Sequence, residues 1–320
     1  MSEYKVSVAM TLYNGEKFLT QQLESLLLQT HSIDELIACD DGSVDATETI
    51  FKEFITRNHL EDKWRYIRNE TNLGAMKNFI YAASLCSGDI IFFCDQDDEW
   101  DKDKIALMTQ VFIDHADALV VSCSEVYMTS KGVFLEGQSK LHKDRDKKEP
   151  LEKISFQNQV RTMHSPGLTL AFRKSFIDET ALLTYEDDLT YDITMGLVAA
   201  AKGGMYRLYR PLVHRRIHEA NYSNPELSLS ARVKNYAHHV YGRKLQLHHM
   251  EVIYQKYRDK LSETDRKNLH KRISDTRKTI EYLEKKSVIG LIRLCFSSNP
   301  MNNKKLNVAN ALIALLVKFQ

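Results

Sequence analysis

The sequence predicts an α/β fold in which helices alternate with the strands of an open sheet. Short apolar, β-branched runs alternate with segments of helical periodicity through the first hundred residues. Polar and acidic clusters follow three of these runs. After Pro225 the pattern changes, and long amphipathic helices replace the alternation. We therefore predict an α/β domain over residues 1–224 and a C-terminal α-helical extension over residues 225–320.

The alternation can be followed element by element. Predicted strands cover residues 5–12, 35–39, 64–67 and 90–93, and predicted helices cover residues 16–29, 45–58 and 75–86. In an open α/β sheet, ligands bind beyond the carboxyl ends of the strands. We therefore expect three polar clusters to converge on one edge of the sheet. They are Thr11–Asn14, Asp40–Ser43 and Asp95–Asp98.

Composition limits the classes of function. The 320 residues are 43% hydrophobic and 27% charged, which suits a folded globular protein. The 44 Lys and Arg residues nearly balance the 43 Asp and Glu residues, so bulk charge gives no support for a nucleic-acid partner. The five cysteines form no CxxC pair, which favours buried, reduced thiols. No secretion signal and no apolar run of roughly 18 residues is visible. We expect a cytoplasmic protein that is at most peripheral on the inner face of the cell membrane.

The acidic cluster suggests a metal. Asp95, Asp97 and Asp98 follow directly on the apolar run Ile90–Phe93 and Cys94. Mg²⁺ and Mn²⁺ prefer such hard oxygen ligands, and Mg²⁺ often takes only one or two carboxylates beside substrate phosphates. The sequence contains neither GxxxxGK[ST] nor GxGxxG, so no glycine-rich loop is available for a diphosphate. A metal at the acidic cluster would therefore have to bind the diphosphate.

Four segments, in this order and at this spacing, resemble the family 2 glycosyltransferases with the GT-A fold, the nucleotide-diphospho-sugar transferase fold with a Rossmann-like open sheet. They are TLYNGE at 11–16, DDGS at 40–43, NLG at 72–74 with Asn78, and DQDD at 95–98. The resemblance runs from about residue 5 to residue 222. It implies a donor nucleotide pocket formed by Thr11, Tyr13, Glu16, Asp41, Asn72, Gly74, Asn78, Asp95 and Gln96. Within this pocket Asp41 would bind the pyrimidine base and Asp95 the ribose, while Asp97 would ligate Mg²⁺ or Mn²⁺.

The second half supplies the catalytic residue in this resemblance. Asp192 aligns with the catalytic carboxylate of the family, although Ile193 stands where an aromatic residue is usual. In an inverting transfer, Asp192 would take the proton of the acceptor hydroxyl. The loop around Gly167 resembles the segment that closes over the acceptor.

A further element in the second half, Arg216-Ile217-His218 with Asn221, resembles the family's Arg-x-His-x-x-Asn motif. It implies that His218 lies at the metal or the diphosphate. We expect three more side chains in the diphosphate and acceptor region: Trp100, Arg215 and Arg216.

The donor sugar is less well defined. Gln96, Asp98 and Trp100 resemble a subgroup that contains bacterial rhamnosyltransferases, which favours transfer of L-rhamnose from dTDP-L-rhamnose to a growing surface polysaccharide. The acceptor would be a glycan or a lipid-linked glycan. A UDP-hexose or UDP-N-acetylhexosamine donor is the alternative, because Asp41 could bind uracil or thymine equally well. A catalytically silent nucleotide-sugar-binding scaffold subunit is the alternative from a different class.

Each cluster also has a structural interpretation. DDGS would equally form a turn that caps the next helix, and DQDD would cap a predicted helix over Trp100–Val111. Asp192 would likewise cap a helix over Ile193–Ala201, and His218 would be an ordinary packed histidine. The charged run at 137–153 is typical of a solvated loop, with a lid over the donor or acceptor as the alternative.

The C-terminal extension is expected to begin with an αα-hairpin. Apolar residues recur every three or four positions from Leu229 to Leu261, and Ser262 restarts a second helix. We expect this hairpin to pack on the α/β domain or to mediate self-association. A last helix, Val308–Phe319, has an apolar face with lysines at its margins. It would lie on an anionic membrane surface or be buried against the hairpin.

Overall fold

A computed structural model describes residues 4–135, 150–163, 165–187, 189–219, 221, 233–296, 301 and 304–318. The chain divides into two compact units. The first comprises Met1–Ile154, Ser165–Met195 and Gly203–Asn221, and the second comprises Ser155–His164, Gly196–Lys202 and Tyr222–Gln320. The last of these boundaries lies close to the division predicted at residue 224. The structure also groups two short segments from the predicted α/β domain with the C-terminal helices.

The first unit contains a nine-stranded mixed sheet. Its strands are β1 (Val6–Leu12), β2 (Glu35–Asp40), β3 (Trp64–Arg68), β4 (Ile90–Cys94), β5 (Glu99–Trp100), β6 (Val120–Thr129), β7 (Leu151–Lys153), β8 (Leu170–Arg173) and β9 (Met205–Ile217). They follow the order β3-β2-β1-β4-β8-β6-β9-β5, and β7 pairs with β9. The predicted α/β fold with an open sheet is confirmed.

The helices around this sheet match the periodicity of the sequence. They are α1 (Leu19–Leu27), α2 (Thr47–Arg57), α3 (Ala75–Leu85), α4 (Lys104–Asp114) and α6 (Ile177–Glu186), while α7 (Tyr191–Ala201) begins in the first unit. The prediction of a helix starting at Trp100 is wrong, because Glu99 and Trp100 form β5 and pair with β9. DQDD therefore precedes a strand and does not cap a helix.

Strand direction explains why the polar clusters meet. β1 runs parallel to β2 and β4, with Leu12 opposite Asp40 and Met10 opposite Cys94. β4 pairs antiparallel with β8, β8 pairs antiparallel with β6, and β6 runs parallel to β9. β9 consequently points the same way as β1, β2 and β4. The segments that follow these four strands leave the sheet at one edge.

The buried core of the first unit fixes the register in which β1 pairs with β2 and β4. Val6, Val8, Met10 and Leu12 alternate along β1, and all four belong to one buried cluster with residues of α1, α2 and α4. A slip of one residue would move these side chains to the opposite face of the sheet. The apolar alternation therefore also fixes the position of the polar strand ends.

The second unit is helical. Its helices are α5 (Phe156–Thr162), α8 (Tyr236–Tyr257), α9 (Glu263–Glu284), α10 (Val288–Cys295) and α11 (Lys304–Lys318). α8 and α9 pack as the predicted hairpin. Ser262 caps α9, since its hydroxyl accepts a hydrogen bond from the Asp265 amide at 3.0 Å. The start of the predicted hairpin at Leu229 lies outside the described residues, as does most of the charged run at 137–153.

Candidate active site

The loops after β1 and β4 are joined through Gln96. Its Oε1 accepts a hydrogen bond from the Tyr13 amide and its Nε2 donates to the Tyr13 carbonyl, each at 2.8 Å. A Cβ at Gly15 would run into the end of the Gln96 side chain, so glycine leaves room for this approach. The Tyr13 side chain itself is 53% exposed. Gln96 therefore fixes the backbone that presents Tyr13 at the strand ends.

A second set of contacts joins the loops after β1 and β2. The Asn14 amide donates to Ser43 Oγ at 2.8 Å, and Asn14 Oδ1 accepts from the Val44 amide at 2.9 Å. Glu16 Oε2 accepts from the Ala46 amide at 3.0 Å, immediately before α2. The exposed Glu16 thus anchors the start of a helix. Thr11, also predicted for the nucleotide pocket, lies in β1 opposite Cys39.

Asp41 organises the loop before α3. Its carboxylate accepts hydrogen bonds from the Leu73 amide at 2.7 Å, the Gly74 amide at 2.8 Å and the Asn69 side chain at 2.8 Å. Gly74 has a φ of +77°, a conformation that favours glycine. The buried carboxylate is already well supplied with donors from the chain. Recognition of a pyrimidine base by Asp41 stays a prediction.

Asn72 and Asn78 hold the same loop from two sides. Asn72 Nδ2 donates to the Asp41 carbonyl at 2.8 Å. Asn78, buried in α3, donates to the Cys39 carbonyl at 2.9 Å and accepts from Asn69. Both residues predicted for the nucleotide pocket therefore lie beside Asp41, where they shape the loop.

The turn interpretation of DDGS holds for Asp40. Its buried carboxylate accepts from the Gly42 amide at 3.1 Å and from the amide and hydroxyl of Ser43 at 2.8 and 2.7 Å. The hydroxyl of Tyr66 donates to the other carboxylate oxygen. Asp40 therefore closes the turn, and Asp41 next to it organises the following loop.

Asp97, which follows β4, lies next to His218, which follows β9. His218 Nε2 lies 2.8 Å from Asp97 Oδ2. Asn221 Nδ2 donates to the same oxygen at 3.2 Å, and Asn221 Oδ1 accepts from the His218 amide at 2.6 Å. The His218 ring packs on Phe18, with ring centroids 4.8 Å apart. The structure thus brings together both residues that were predicted to bind the metal.

The pair suits a metal that is shared with a substrate. A carboxylate and an imidazole supply two ligands, and Mg²⁺ usually completes its shell with waters and substrate phosphates. In the part of the chain that the structure describes, no group of three or more His, Cys, Asp or Glu residues could hold a metal. Asp97 and His218 could supply two ligands of a cation whose other positions are taken by water and substrate oxygens.

Asp95 and Asp98 lie beside this pair in a desolvated cluster. Burial and the neighbouring Asp97 raise the pKa of both carboxyls above the usual range, and Arg215 opposes the shift. Asp98 Oδ1 accepts a hydrogen bond from the Arg216 amide at 2.9 Å. Arg215 Nη1 lies 3.7 Å from Glu125 Oε2. The cluster thus gathers acidic groups whose charged forms are disfavoured by burial, and Arg215 partly offsets this effect.

Arg216 contacts the acidic cluster through its side chain. Its guanidinium is buried and donates to the Asp97 carbonyl at 3.0 Å and to Glu99 Oε1 at 2.5 Å, and it lies over the Phe18 ring. A diphosphate in the predicted region would find this group already engaged. Arg216 thus supports the acidic cluster, and its place in the diphosphate and acceptor region stays a prediction.

Trp100 also lies behind the cluster. Its ring is buried in the core and packs on Phe92, and its contact with a diphosphate or acceptor stays a prediction. Lys104 Nζ lies 3.4 Å from the centre of the Trp100 ring and donates to the Leu168 carbonyl at 2.8 Å.

Lys104 was missed by sequence reasoning. It is fully buried, and burial lowers its pKa to about 8. The sequence did contain a signal for its burial. Lys104 stands four residues before Met108, so both side chains lie on the buried face of α4. The lysine therefore connects the β5 region to the segment around Gly167.

Asp192 lies in the first turn of α7, next to Tyr191. A Cβ at Gly167 would collide with the Tyr191 hydroxyl, so glycine allows this segment to close on the helix start. Asp192 Oδ1 accepts from the Ile193 amide at 2.8 Å. Burial raises the pKa of Asp192, while the Ile193 amide, the Thr190 side chain and Arg215 oppose the shift. Asp192 in turn raises the pKa of Asp95, so the two carboxylates lie within electrostatic reach.

The family model described as "Glycosyl transferase family 2" matches residues 7–179. EpsE of Bacillus subtilis (strain 168) is 39% identical over 94 residues, which cover 29% of this chain and 33% of that protein. The UDP-Glc:alpha-D-GlcNAc-diphosphoundecaprenol beta-1,3-glucosyltransferase WfgD of Escherichia coli is 32% identical over 113 residues, or 35% of this chain and 43% of that protein. The matches thus span less than half of these relatives.

Solved structures share the fold. S. aureus TarS 1-349 in complex with UDP-GlcNAc superposes with a TM-score of 0.52 at 19% identity, and the match covers 89% of each chain. The mannosyltransferase PcManGT from Pyrobaculum calidifontis, solved with GDP-Man and Mn²⁺, gives a TM-score of 0.61 at 13% identity, covering 99% of this chain and 87% of that one. At these identities the likeness establishes the fold alone.

Proposed function

Because the chain belongs to glycosyl transferase family 2, whose model matches more than half of its residues, we propose that it is an inverting, metal-dependent glycosyltransferase that uses a nucleotide-diphospho-sugar. One observation carries the proposal. Asp97 and His218 meet at 2.8 Å at the ends of parallel strands, beside the desolvated Asp95. A second carboxylate, Asp192, lies within electrostatic reach of that site. The arrangement supplies two metal ligands and a separate base.

Asp192 would act on the acceptor. Its carboxylate takes the proton of the acceptor hydroxyl while the oxygen forms a bond to the anomeric carbon. On the opposite face of the sugar, the bond from the anomeric carbon to the diphosphate oxygen breaks. A carboxyl with a raised pKa is a better base than an ordinary surface aspartate, because a proton binds to it more tightly.

Asp97 and His218 would hold the cation, and the bound cation would neutralise negative charge on the leaving diphosphate. Arg215 is a positive group near the cluster, and it opposes the raised pKa of both Asp95 and Asp192. Arg215 would therefore orient the carboxylates, or contribute charge when a diphosphate is bound.

We propose a UDP-linked hexose or N-acetylhexosamine as the donor. WfgD is named for a UDP-Glc donor, and TarS was solved with UDP-GlcNAc. The argument for dTDP-L-rhamnose depended on Gln96, Asp98 and Trp100. Gln96 binds the Tyr13 backbone, Asp98 binds the Arg216 amide and Trp100 lies in the core. These contacts give each of the three residues a role in the fold, so the residues do not favour rhamnose over another sugar.

The acceptor we propose is a hydroxyl of a lipid-linked or growing bacterial surface glycan. The name of WfgD describes a sugar on diphosphoundecaprenol as its acceptor. The match covers only 43% of that protein, so the acceptor is the part of the proposal that most needs its own test.

A donor panel tests the proposal. The full chain is incubated with UDP-glucose, UDP-N-acetylglucosamine, GDP-mannose and dTDP-L-rhamnose, with Mn²⁺ or Mg²⁺ and with lipid-linked acceptors, and release of nucleoside diphosphate is measured. We expect metal-dependent release from a UDP-sugar. Release from dTDP-L-rhamnose alone would overturn the donor assignment.

Asp192→Asn separates catalysis from binding. It should abolish transfer and retain donor binding, whereas Asp178→Asn, which changes an exposed acid in the first turn of α6, should leave both unchanged. Donor binding without turnover in the wild-type protein would favour the silent scaffold.

A further inference from the structure

The C-terminal end of the chain carries charge of one sign. Residues 285–320 contain six Lys or Arg residues and no Asp or Glu. The basic residues are Lys285, Lys286, Arg293, Lys304, Lys305 and Lys318. The whole chain is nearly neutral, so this segment is a local concentration of positive charge. It coincides with α10 and α11.

α11 has an apolar outer face. Its exposed large apolar side chains are Val308, Leu312, Leu315 and Leu316, and Leu312 is 45% exposed. At 3.6 residues per turn, these positions fall within an arc of about 100°. The opposite side of the helix is buried and includes Asn310, Ala311, Ile313 and Ala314. The helix therefore packs through its small residues and presents its leucines outward.

α10 repeats this arrangement. Ile289 is 69% exposed, Ile292 also faces outward, and Phe296, directly after the helix, is 83% exposed. Leu291 is buried on the other side. α10 and α11 pack against each other, and Leu291, Ala311 and Ala314 belong to one buried cluster with the hairpin residues Val240 and Leu283. α10 and α11 are thus packed against the hairpin on one side and expose large apolar side chains on the other.

We propose that the exposed faces of α10 and α11 bind the surface of an anionic lipid bilayer. Helices with leucine, isoleucine and phenylalanine on one face and basic residues around them lie in the interface between headgroups and acyl chains. The net positive charge of the segment is attracted to the negative potential of such a surface, although Lys285 is paired with Glu281. No described helix is long and apolar enough to cross a membrane.

Charge also favours lipid over a second copy of the chain. A two-fold contact places the same patch on both sides of the interface. Two copies of this segment would bring positive charges together with no acid of their own to compensate. A bilayer containing anionic lipid provides both the apolar interior and the opposite charge. The proposal does not depend on the glycosyltransferase activity, because it concerns residues outside the candidate active site.

Vesicle sedimentation of the full chain tests the proposal without any donor or acceptor. One set of vesicles contains phosphatidylcholine alone, and the other contains equal amounts of phosphatidylcholine and phosphatidylglycerol. We expect binding to the anionic vesicles, weaker binding in high salt and little binding to the neutral ones. Equal binding to both sets, or none to either, would overturn the proposal.

Point variants locate the surface. Leu312→Glu and Ile289→Glu should each lower the partition coefficient more than ten-fold, and Arg293→Gln should lower it about five-fold. Leu107→Glu is the matched control, since Leu107 is a leucine of α4 with 41% exposure. Equal thermal unfolding of all variants establishes that the fold is retained. An equal loss in Leu107→Glu, or a dimer that Leu312→Glu dissociates while vesicle binding is unchanged, would contradict a lipid surface.

Discussion

His218 Nε2 lies 2.8 Å from Asp97 Oδ2, although 121 positions separate the two residues in the chain. β4 leads to Asp97 and β9 leads to His218, and the two strands point the same way in the sheet. Asn221 bonds to both residues. The candidate metal site therefore forms only when both ends of the first unit are folded together.

Asp97→Asn should weaken metal-dependent donor binding at least ten-fold, because an amide is a poorer ligand for a hard cation than a carboxylate. Calorimetric titration of a UDP-sugar with and without Mn²⁺ measures the effect. Asp62→Asn, at an exposed position before β3, is the control and should bind as the wild type does. A Mn²⁺ dependence that is unchanged in Asp97→Asn would remove this residue from the site.

Asn221→Ala should leave both metal ligands in place but lower metal affinity about ten-fold or more, since residues that orient ligands have effects of this size. The side chain of Asn221 donates to Asp97 Oδ2 and to the Arg216 carbonyl, and it accepts from the His218 amide. Mn²⁺ binding in the presence of UDP, followed by electron paramagnetic resonance, measures the affinity. Partial recovery in Asn221→Gln would support a role in orientation, and wild-type affinity in Asn221→Ala would argue against it.

The sequence allowed the strand ends to be predicted but not the partners of each side chain. The apolar run at Ile90–Phe93 and the acidic cluster after it are local features, so β4 and its polar end could be identified. Arg216 belongs to a motif that was suggested by resemblance, yet its contacts with Asp97, Glu99 and Phe18 join distant segments. No local pattern reveals such contacts. For the same reason β5 was missed, because a two-residue strand exists only through its pairing with β9.

Asp192 should control the acidic limb of the pH–rate profile. Activity requires the carboxylate and falls as pH decreases through its pKa, and burial raises that pKa. The loss of activity should therefore begin at a higher pH than for an ordinary aspartate. Arg215 holds the pKa of Asp192 down, so Arg215→Gln should move the limb to still higher pH.

Values of kcat/KM across the acidic range measure this shift. Arg57→Gln, at an exposed site on α2, is the control and should keep the wild-type profile. An acidic limb that stays in place in Arg215→Gln would show that Arg215 does not act on the base.

Lys104 should make unfolding depend on pH in the alkaline range. The pKa of the buried ammonium is lowered from 10.5 to about 8 by burial. Below pH 8 the folded protein bears the full cost of the buried charge. Between pH 8 and pH 10.5 the lysine is neutral in the folded protein, while in the unfolded protein it still binds its proton. Stability therefore rises with pH through this range.

Urea unfolding of the wild type and Lys104→Met at about pH 7.5 and about pH 9.5 isolates this effect. The difference in unfolding free energy between the two proteins cancels the contributions of the cysteines and tyrosines, which titrate in both. The wild type should gain about 2 kcal/mol relative to Lys104→Met between the two conditions. Lys102→Met, which changes an exposed neighbour, should give no difference that depends on pH. A constant difference between the wild type and Lys104→Met would mean that the lysine has an ordinary pKa and that the buried contact with Leu168 holds a permanent charge.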